Sequence, residues 1–171
     1  MVVRGGIMSL RKDLEILNID CWQNDMVKIK PLTTEKELIY AAHECQLSDE
    51  QKEMVSPLWF IIGRAYLNKD NYFPCIIYTL DDKPIGFISF STWIGNDEAY
   101  SWSYFVDLKY QGKGYGKSAA ELAINILKNA NSNKSIKLAS EKDNFKVHNL
   151  YMSLGFSKSS ELDGDYIVFI L

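Results

Sequence analysis

A chain of 171 residues is long enough to bury one core without disulfides or a structural metal. Its net charge of −3 offers no basic footprint for nucleic acid, and no apolar run approaches the roughly 20 residues that cross a bilayer. The three cysteines, Cys21, Cys45 and Cys75, are odd in number and lack metal-ligand spacing. Neither a disulfide framework nor a metal is therefore expected, and without a secretory signal at the N-terminus the expected location is the cytoplasm.

Residues 1–25 read as an N-terminal extension, helical or disordered, in which Leu10, Leu14 and Leu17 sketch a short amphipathic helix. Met8 and Met26 are both candidate starts. The folded domain is expected over residues 26–171, opening with a strand from Met26 to Lys30. Thr34 and Glu37 make a capping box, and Leu38, Ala41, Ala42 and Cys45 follow at helical spacing, which predicts a first helix of about three turns. Ser56-Pro57 starts a second helix running to about Leu67, serine as cap and proline where a missing donor costs nothing. Cys75 to Leu80 and Ile85 to Trp93 flank Asp81-Asp82-Lys83-Pro84 and predict an antiparallel hairpin. In the next strand, Tyr100 to Val106, the aromatics Tyr100, Trp102 and Tyr104 alternate with Ser101 and Ser103. Three aromatics thus share a face that walls a pocket or the core.

Between that strand and a helix from Ser118 to Asn129 lies Gln111-Gly112-Lys113-Gly114-Tyr115-Gly116-Lys117. Its three glycines let the backbone turn tightly and present successive N–H groups, and the following helix points its positive dipole end at the same place. The result is an anion cradle suited to a pyrophosphate. A nucleoside-triphosphate loop needs glycine four residues before Gly-Lys-Ser, where this chain has Gln111. A dinucleotide fingerprint can be laid over Gly114 to Ala119, but roughly fifty residues follow, too few for a domain of about 100. The stripe Ala119, Leu122, Ala123, Ile126 and Leu127 holds the helix against the sheet. Ile136 to Ser140 is a short strand, Asp143 or Asn144 caps the next helix, and Gly155 ends it. Asp163-Gly164 turns a final hairpin into Tyr166 to Leu171.

Gln-x-x-Gly-x-Gly on a strand-to-helix turn, here Gln111, Gly114 and Gly116, resembles the GCN5-related N-acetyltransferase family. A second segment agrees. Asn144 to Phe156 is similar to that family's Asn-x-x-Ala-x-x-Leu-Tyr-x-x-x-Gly-Phe, with Val147 in place of alanine. Asp82-Lys83-Pro84-Ile85-Gly86 looks like the hairpin before the family's third strand, and the resemblance runs from about Met26 to the C-terminus. It implies an α/β fold of the α+β type, with a mixed, mostly antiparallel central sheet of six to seven strands flanked by helices. It also implies an acyltransferase that moves acetyl from acetyl-CoA, a co-substrate used without a metal, to a primary amine of a small molecule by direct transfer in a ternary complex.

Site residues follow from the same resemblance. Backbone N–H groups of Gln111, Gly112, Lys113, Gly114, Tyr115, Gly116 and Lys117 would hold the pyrophosphate, with Lys113 and Lys117 adding charge. Phe105, Val106 and Asp107, at the end of the fourth strand, would pair with pantetheine as an added strand does; Leu108 stands where the family commonly has proline. Tyr151 matches the family tyrosine near the sulfur, a donor to the departing thiolate, although Val147, Leu150, Tyr151 and Leu154 also make a plain core stripe. Asn144, two turns earlier on nearly the same face, would bond the pantetheine or cap its helix. Glu98 and Glu141 are the nearest candidates for a base. His43 and His148 read as surface or packing residues, and Cys45 and Cys75 lack activating neighbours.

In this family the first two helices and the closing hairpin set specificity, here about Glu44 to Tyr66 and Ser157 to Asp165. Glu44, Asp49, Glu50, Glu53, Glu161, Asp163 and Asp165 would favour a cationic amine, with Trp59, Tyr66 and Trp93 over its carbon chain. Relatives that acetylate polyamines carry acids within the fourth strand, where this chain has Trp102 and Ser103, which argues against a polyamine. The implied partners are a small-molecule amine and a second copy in a homodimer, with no nucleic acid or membrane. Two alternatives stand beside this reading: a protein or peptide acetyltransferase acting on N-terminal amines or lysines, and a non-catalytic acyl-CoA sensor.

Overall fold

The computed structural model describes residues 9–18, 22–93 and 99–171. The strands are β1 (Val27–Pro31), β2 (Tyr72–Thr79), β3 (Pro84–Thr92), β4 (Tyr100–Val106), β5 (Lys137–Glu141), β6 (Ser157–Asp163) and β7 (Tyr166–Ile170). β1 to β4 form one antiparallel sheet in chain order, and the second, also antiparallel, is ordered β5-β7-β6. The two meet at one parallel bridge, Tyr100 to Ile136, where the Tyr100 N–H donates to the Ser135 carbonyl at 2.9 Å. Past that bridge no ladder joins β4 to β5 among the described residues, so their facing edges open into a wedge. Seven strands in a mostly antiparallel arrangement with flanking helices agree with the architecture expected.

The helices are α1 (Leu10–Glu15), α2 (Glu35–Ile39), α3 (Asp49–Met54), α4 (Leu58–Leu67), α5 (Tyr115–Ala130) and α6 (Phe145–Ser153). Against one face of the first sheet, Leu122, Ala123, Ile126 and Leu127 of α5 bury their stripe on Ile88, Phe90 and Trp102. On the opposite face, Tyr40, Ala41 and Ile61 close a smaller core over Ile76, Phe87 and Phe105. α1 packs into the larger core: Leu10 and Leu14 are fully buried beside α5. Its Asp13, also buried, accepts a hydrogen bond from the Tyr100 hydroxyl, so this leading segment is tied to the point where the sheets part.

Three local features differ from the sequence pattern. The Thr34–Glu37 capping box forms and the helix runs on to Glu44 as expected, but its second half is not α-helical. α2 widens into a π turn over Tyr40–Glu44, with the Cys45 N–H on the Tyr40 carbonyl at 2.8 Å. The wider turn sends Tyr40 and Ala41 inward and leaves Ala42 exposed. Helix α3 was not expected, yet Ser48 and Gln51 make a second capping box that announces it. β2 begins at Tyr72 rather than Cys75 because its pairing with β3 runs out to Tyr72, opposite Ser91, whereas its pairing with β1 stops at Cys75. Pro74 lies where the pairing with β1 runs out: its carbonyl still accepts from the Leu32 N–H at 3.0 Å, but it has no N–H to return.

Glycine 86 marks a close approach. A Cβ there would stand 2.4 Å from the Phe105 carbonyl oxygen, so β3 and β4 can run together at this point only without a side chain. At the other end of the molecule, docking of α1 predicts that Leu14→Ala lowers stability by about 2–5 kcal/mol in urea unfolding. An unchanged midpoint would mean that the segment ahead of β1 does not share the core.

Candidate active site

The loop between β4 and α5 is held from both sides. The Gln111 side-chain amide donates to the Val106 carbonyl and to Gln51 Oε1, each at 2.7 Å, and the Leu108 N–H donates to the Gln46 carbonyl at 2.8 Å. The Gln111 N–H itself closes a short 3₁₀ turn onto Leu108. That amide is therefore committed within the turn, and Gln111 braces the loop through its side chain. The N–H groups of Gly112, Lys113, Gly114, Tyr115, Gly116 and Lys117 have no main-chain or side-chain acceptor among the described residues; the Ser118 N–H is the first to bond back, to Gly114 at 3.0 Å. Gly114, with φ of 89°, begins α5 in the left-handed region and aims these donors together. Six unpaired amides at the start of a sixteen-residue helix make a strong anion site.

The two lysines expected to add charge are engaged. Lys113 Nζ donates to the Lys109 carbonyl at 2.8 Å and lies over the Tyr110 ring, while Lys117 is exposed, 3.9 Å from Glu121. Phe105 and Val106 lie at the end of β4, on the strand that borders the wedge, with the Val106 carbonyl already taken by Gln111.

Across the wedge, α6 carries the second set. Asn144 caps it, its Oδ1 accepting from the Val147 N–H at 3.2 Å, and its Nδ2 has only the Met54 sulfur, a weak acceptor, at 3.1 Å. Tyr151 is buried beside Phe156 and Phe169. Burial first, and the neighbouring Tyr104 second, hold its phenol well above the ordinary range, so it stays protonated. Burial likewise pushes Tyr104 up to about 12, and its hydroxyl donates to the Gly116 carbonyl at 3.3 Å, linking β4 to the first turn of α5. His148 is a packing residue. It is buried against Phe169, and its Nε2 lies 2.9 Å from the Glu141 carbonyl. A carbonyl can only accept, so that nitrogen carries the proton.

A cleft of about 290 Å³ opens on the face of β3 and β4 opposite α5. Its floor is a square of hydroxyls, because Ser89 pairs with Ser103 and Ser91 with Ser101 across the two strands. Arg64 of α4, Tyr72 and Trp93 wall it, and Ala139 of β5 reaches it from beyond the wedge. The aromatic face of β4 is core, and the polar alternation noted in the sequence is the pocket side. This was readable in the doublets Ser89-x-Ser91 and Ser101-x-Ser103, which share a face by their spacing.

The carboxylates expected to line an acceptor site lie elsewhere. Asp49 pairs with Lys52 at 2.9 Å, Glu161 with Lys137 at 2.8 Å and Asp165 with Lys142 at 3.3 Å. Glu44, Glu50 and Glu53 are exposed away from the cleft. Of the aromatics, Trp93 lines the cleft while Trp59 and Tyr66 are each 75% exposed. Glu141 is exposed and shares a face of β5 with Ala139, one pleat further on. Glu98, Cys21 and the side chain of Asp163 lie outside the described residues.

A sequence model of the Acetyltransferase (GNAT) family matches residues 36–156, a span that holds both the glycine loop and α6. The chain belongs to that family. It is accordingly an acetyltransferase of the GNAT type. Solved structures repeat the fold at low identity. A Vibrio cholerae protein assigned as a ribosomal-protein-serine acetyltransferase aligns over 88% of this chain and 95% of its own, at 17% identity and a TM-score of 0.65. The aminoglycoside acetyltransferase AAC(6′)-Ib, solved with coenzyme A, covers 83% of this chain and 93% of its own, at 16% identity and a TM-score of 0.64. A spermidine N-acetyltransferase chimera from Vibrio cholerae and hSSAT covers 85% and 94%, at 13% identity and a TM-score of 0.62. Comparison with curated proteins gave no match.

Within this acetyltransferase, two described thiols remain free. Burial pushes Cys45 up to about 11 and Cys75 well above its usual value, so both are protonated near neutrality. In a Cys21→Ser background, Cys45 labelling by a disulfide reagent should climb about tenfold per pH unit from 7 to 10, since the thiolate fraction is still rising. A plateau near pH 8.5 would show an unperturbed thiol.

Proposed function

We propose that the chain acetylates a primary amine on a small molecule, taking the acetyl group from acetyl-CoA while both are bound. The observation that carries this reading is the run of six unpaired amides, Gly112 to Lys117, beside the wedge between β4 and β5. Room for a diphosphate is there: nothing stands within 4 Å of where a Gly112 Cβ would be, and at Gly116 the nearest atoms are at ordinary contact, 3.9 Å. The open edge of β4 at Phe105 and Val106 suits an extended amide-bearing arm, and the Asn144 side-chain amide is available at the opposite wall.

When bound, acetyl-CoA supplies a thioester carbonyl open to attack. The amine nitrogen gains the carbon and loses a proton; the sulfur leaves and ends with one. Tyr151 donates a hydrogen bond toward the sulfur. Full transfer from a phenol raised this far to a thiolate of pKa about 8.5 is uphill, so the hydrogen bond stabilises the leaving group while solvent completes protonation. Glu141, on the β5 face that continues from Ala139, takes the amine proton through water. Glu98 is the other carboxylate proposed for that role. Thiols held protonated by burial favour direct transfer over an acyl-cysteine. The small volume of the cleft, about 290 Å³, favours a small acceptor over a peptide lying in a groove.

Thiol release over amino acids, amino sugars, aminoglycosides, polyamines and peptides tests the acceptor class; turnover confined to peptides would replace it with a protein acetyltransferase. Gly116 tolerates a Cβ, so Gly116→Asp should fold and yet bind acetyl-CoA at least about tenfold more weakly by calorimetry, with Gly116→Ala close to the parent. Equal affinity in the aspartate variant would remove the amide cradle from the mechanism. Tyr151→Phe should lower kcat by about 100-fold while acetyl-CoA affinity holds within about threefold. A kcat near the parent value would reduce Tyr151 to a core residue.

A further inference from the structure

Resting on the acetyl-transfer reading, we infer that the acceptor amine carries an acidic oxygen group, a carboxylate or a phosphate, and that Arg64 selects it. Arg64 is the charged side chain that lines the cleft among the described residues. Its guanidinium carbon lies 4.7 Å from the Tyr72 ring centroid and 5.5 Å from that of Phe60, so aromatic faces hold the planar group in place. Contacts with ring faces give a guanidinium no oxygen acceptor for its N–H donors. No carboxylate or carbonyl takes those donors among the described residues, whereas Arg11 pairs with Glu15 at 3.2 Å and bonds the Lys69 carbonyl at 2.8 Å. A half-buried, pre-oriented fork without an acceptor is suited to a bidentate oxyanion.

The floor points the same way. Ser89 is 2% exposed, and its Oγ has no hydrogen-bond partner. Ser91, Ser101 and Ser103 complete the square, at strand positions that β-branched and aromatic residues usually fill, as Phe87 and Phe105 do one pleat away. Leaving a buried hydroxyl unpaired is costly, and a polar ligand body relieves it. Among the described residues no carboxylate lines the cleft to pair with a polycation, and those expected there whose side chains are described are exposed or bound to lysines. The volume of about 290 Å³ lies at the small end of metabolite sites. The acceptor is thus a compact amine that also bears an anion, with hydroxyl or carbonyl groups over the serines.

Enzyme saturated with acetyl-CoA is offered matched pairs: L-leucine against L-leucinamide, and glucosamine 6-phosphate against glucosamine, with spermidine and a C-terminally amidated tetrapeptide alongside. The expected result is kcat/KM at least about tenfold higher for the anionic member of one pair; which pair responds separates carboxylate from phosphate. Arg64→Gln should erase that preference, mainly through KM, and Arg64→Lys, a point charge without the fork, should keep part of it. Preference for the uncharged or cationic members, or an equal loss for both members in Arg64→Gln, overturns the inference. If no acceptor turns over, tryptophan fluorescence is titrated with inorganic phosphate and with acetate in saturating coenzyme A, which fills the amide cradle. A saturable response lost in Arg64→Gln supports the site, and no saturable response overturns it. Failure of acetyl-CoA to bind in calorimetry would instead strike the acetyl-transfer reading.

Discussion

The sheet parts at Tyr100, and the rest of the site depends on that parting. One parallel bridge to Ile136 holds β4 and β5 together at their beginnings, and neither strand completes a ladder with the other beyond it. Unpaired strand edges inside a fold are costly unless something takes their donors and acceptors, so a wedge of this kind needs a firm apex. Tyr100 supplies it from three directions. Its N–H bonds Ser135, its ring lies under the Lys134 ammonium at 4.9 Å, and its hydroxyl reaches Asp13 on α1. Burying a carboxylate at the apex is costly, and that hydroxyl offsets part of the cost by meeting Oδ2, while Oδ1 has no hydrogen-bond partner among the described residues. The leading helix thus contributes to the geometry of a wedge whose working end lies at the far end of β4.

At that end the electrostatics come from the main chain. Lys113 is occupied by a carbonyl and Lys117 faces Glu121, so the positive potential at the start of α5 rests chiefly on its unpaired amides. Fixed dipoles lose little entropy on meeting a ligand, whereas flexible lysines lose several rotamers each. The bracing of the loop is correspondingly thorough: Gln111 ties it to β4 and α3, and Tyr104 ties the first helical turn to the strand beneath.

The sequence made the glycine loop, α5, the β2–β3 hairpin and the α6 cap legible because each is governed by neighbours in the chain. Gly114, the Ala119 to Leu127 stripe and Asn144 declare themselves within one or two turns. What escaped was decided at long range. The π turn after α2 answers to the Phe87 and Phe105 surface on which Tyr40 and Ala41 settle, and nothing local to residues 40–44 encodes that surface. The first three residues of β2, Tyr72 to Pro74, also escaped, because they are held by β3 after β1 has ended. The acids near Glu44 and Glu161 suggested a cationic acceptor from composition, yet nearby lysines or solvent take them up. Arg64 was silent, since its significance lies in the partners it lacks.

Register joins these two scales. In β3 and β4, Ile88, Phe90, Trp102 and Tyr104 face α5 while Ser89, Ser91, Ser101 and Ser103 face the cleft, and a slip of one residue in either strand would exchange that strand's members of the two sets. A slip of β3 would send Ser89 and Ser91 into the larger core and Ile88 and Phe90 into the cleft, and a slip of β4 would do the same with Ser101 and Ser103 against Trp102 and Tyr104. Cross-strand contact helps to prevent this, with the Phe87 and Phe105 rings stacked 5.4 Å apart on the serine side. Gly86 prevents it sterically, because the Phe105 carbonyl occupies the place of a Cβ, and shifting β4 by one residue would bring Ile85 or Phe87 to that position. The glycine that permits the strands to close is therefore also what keeps the polar face of the sheet beneath Arg64, and the chemistry of the cleft is fixed by a residue that does not line it.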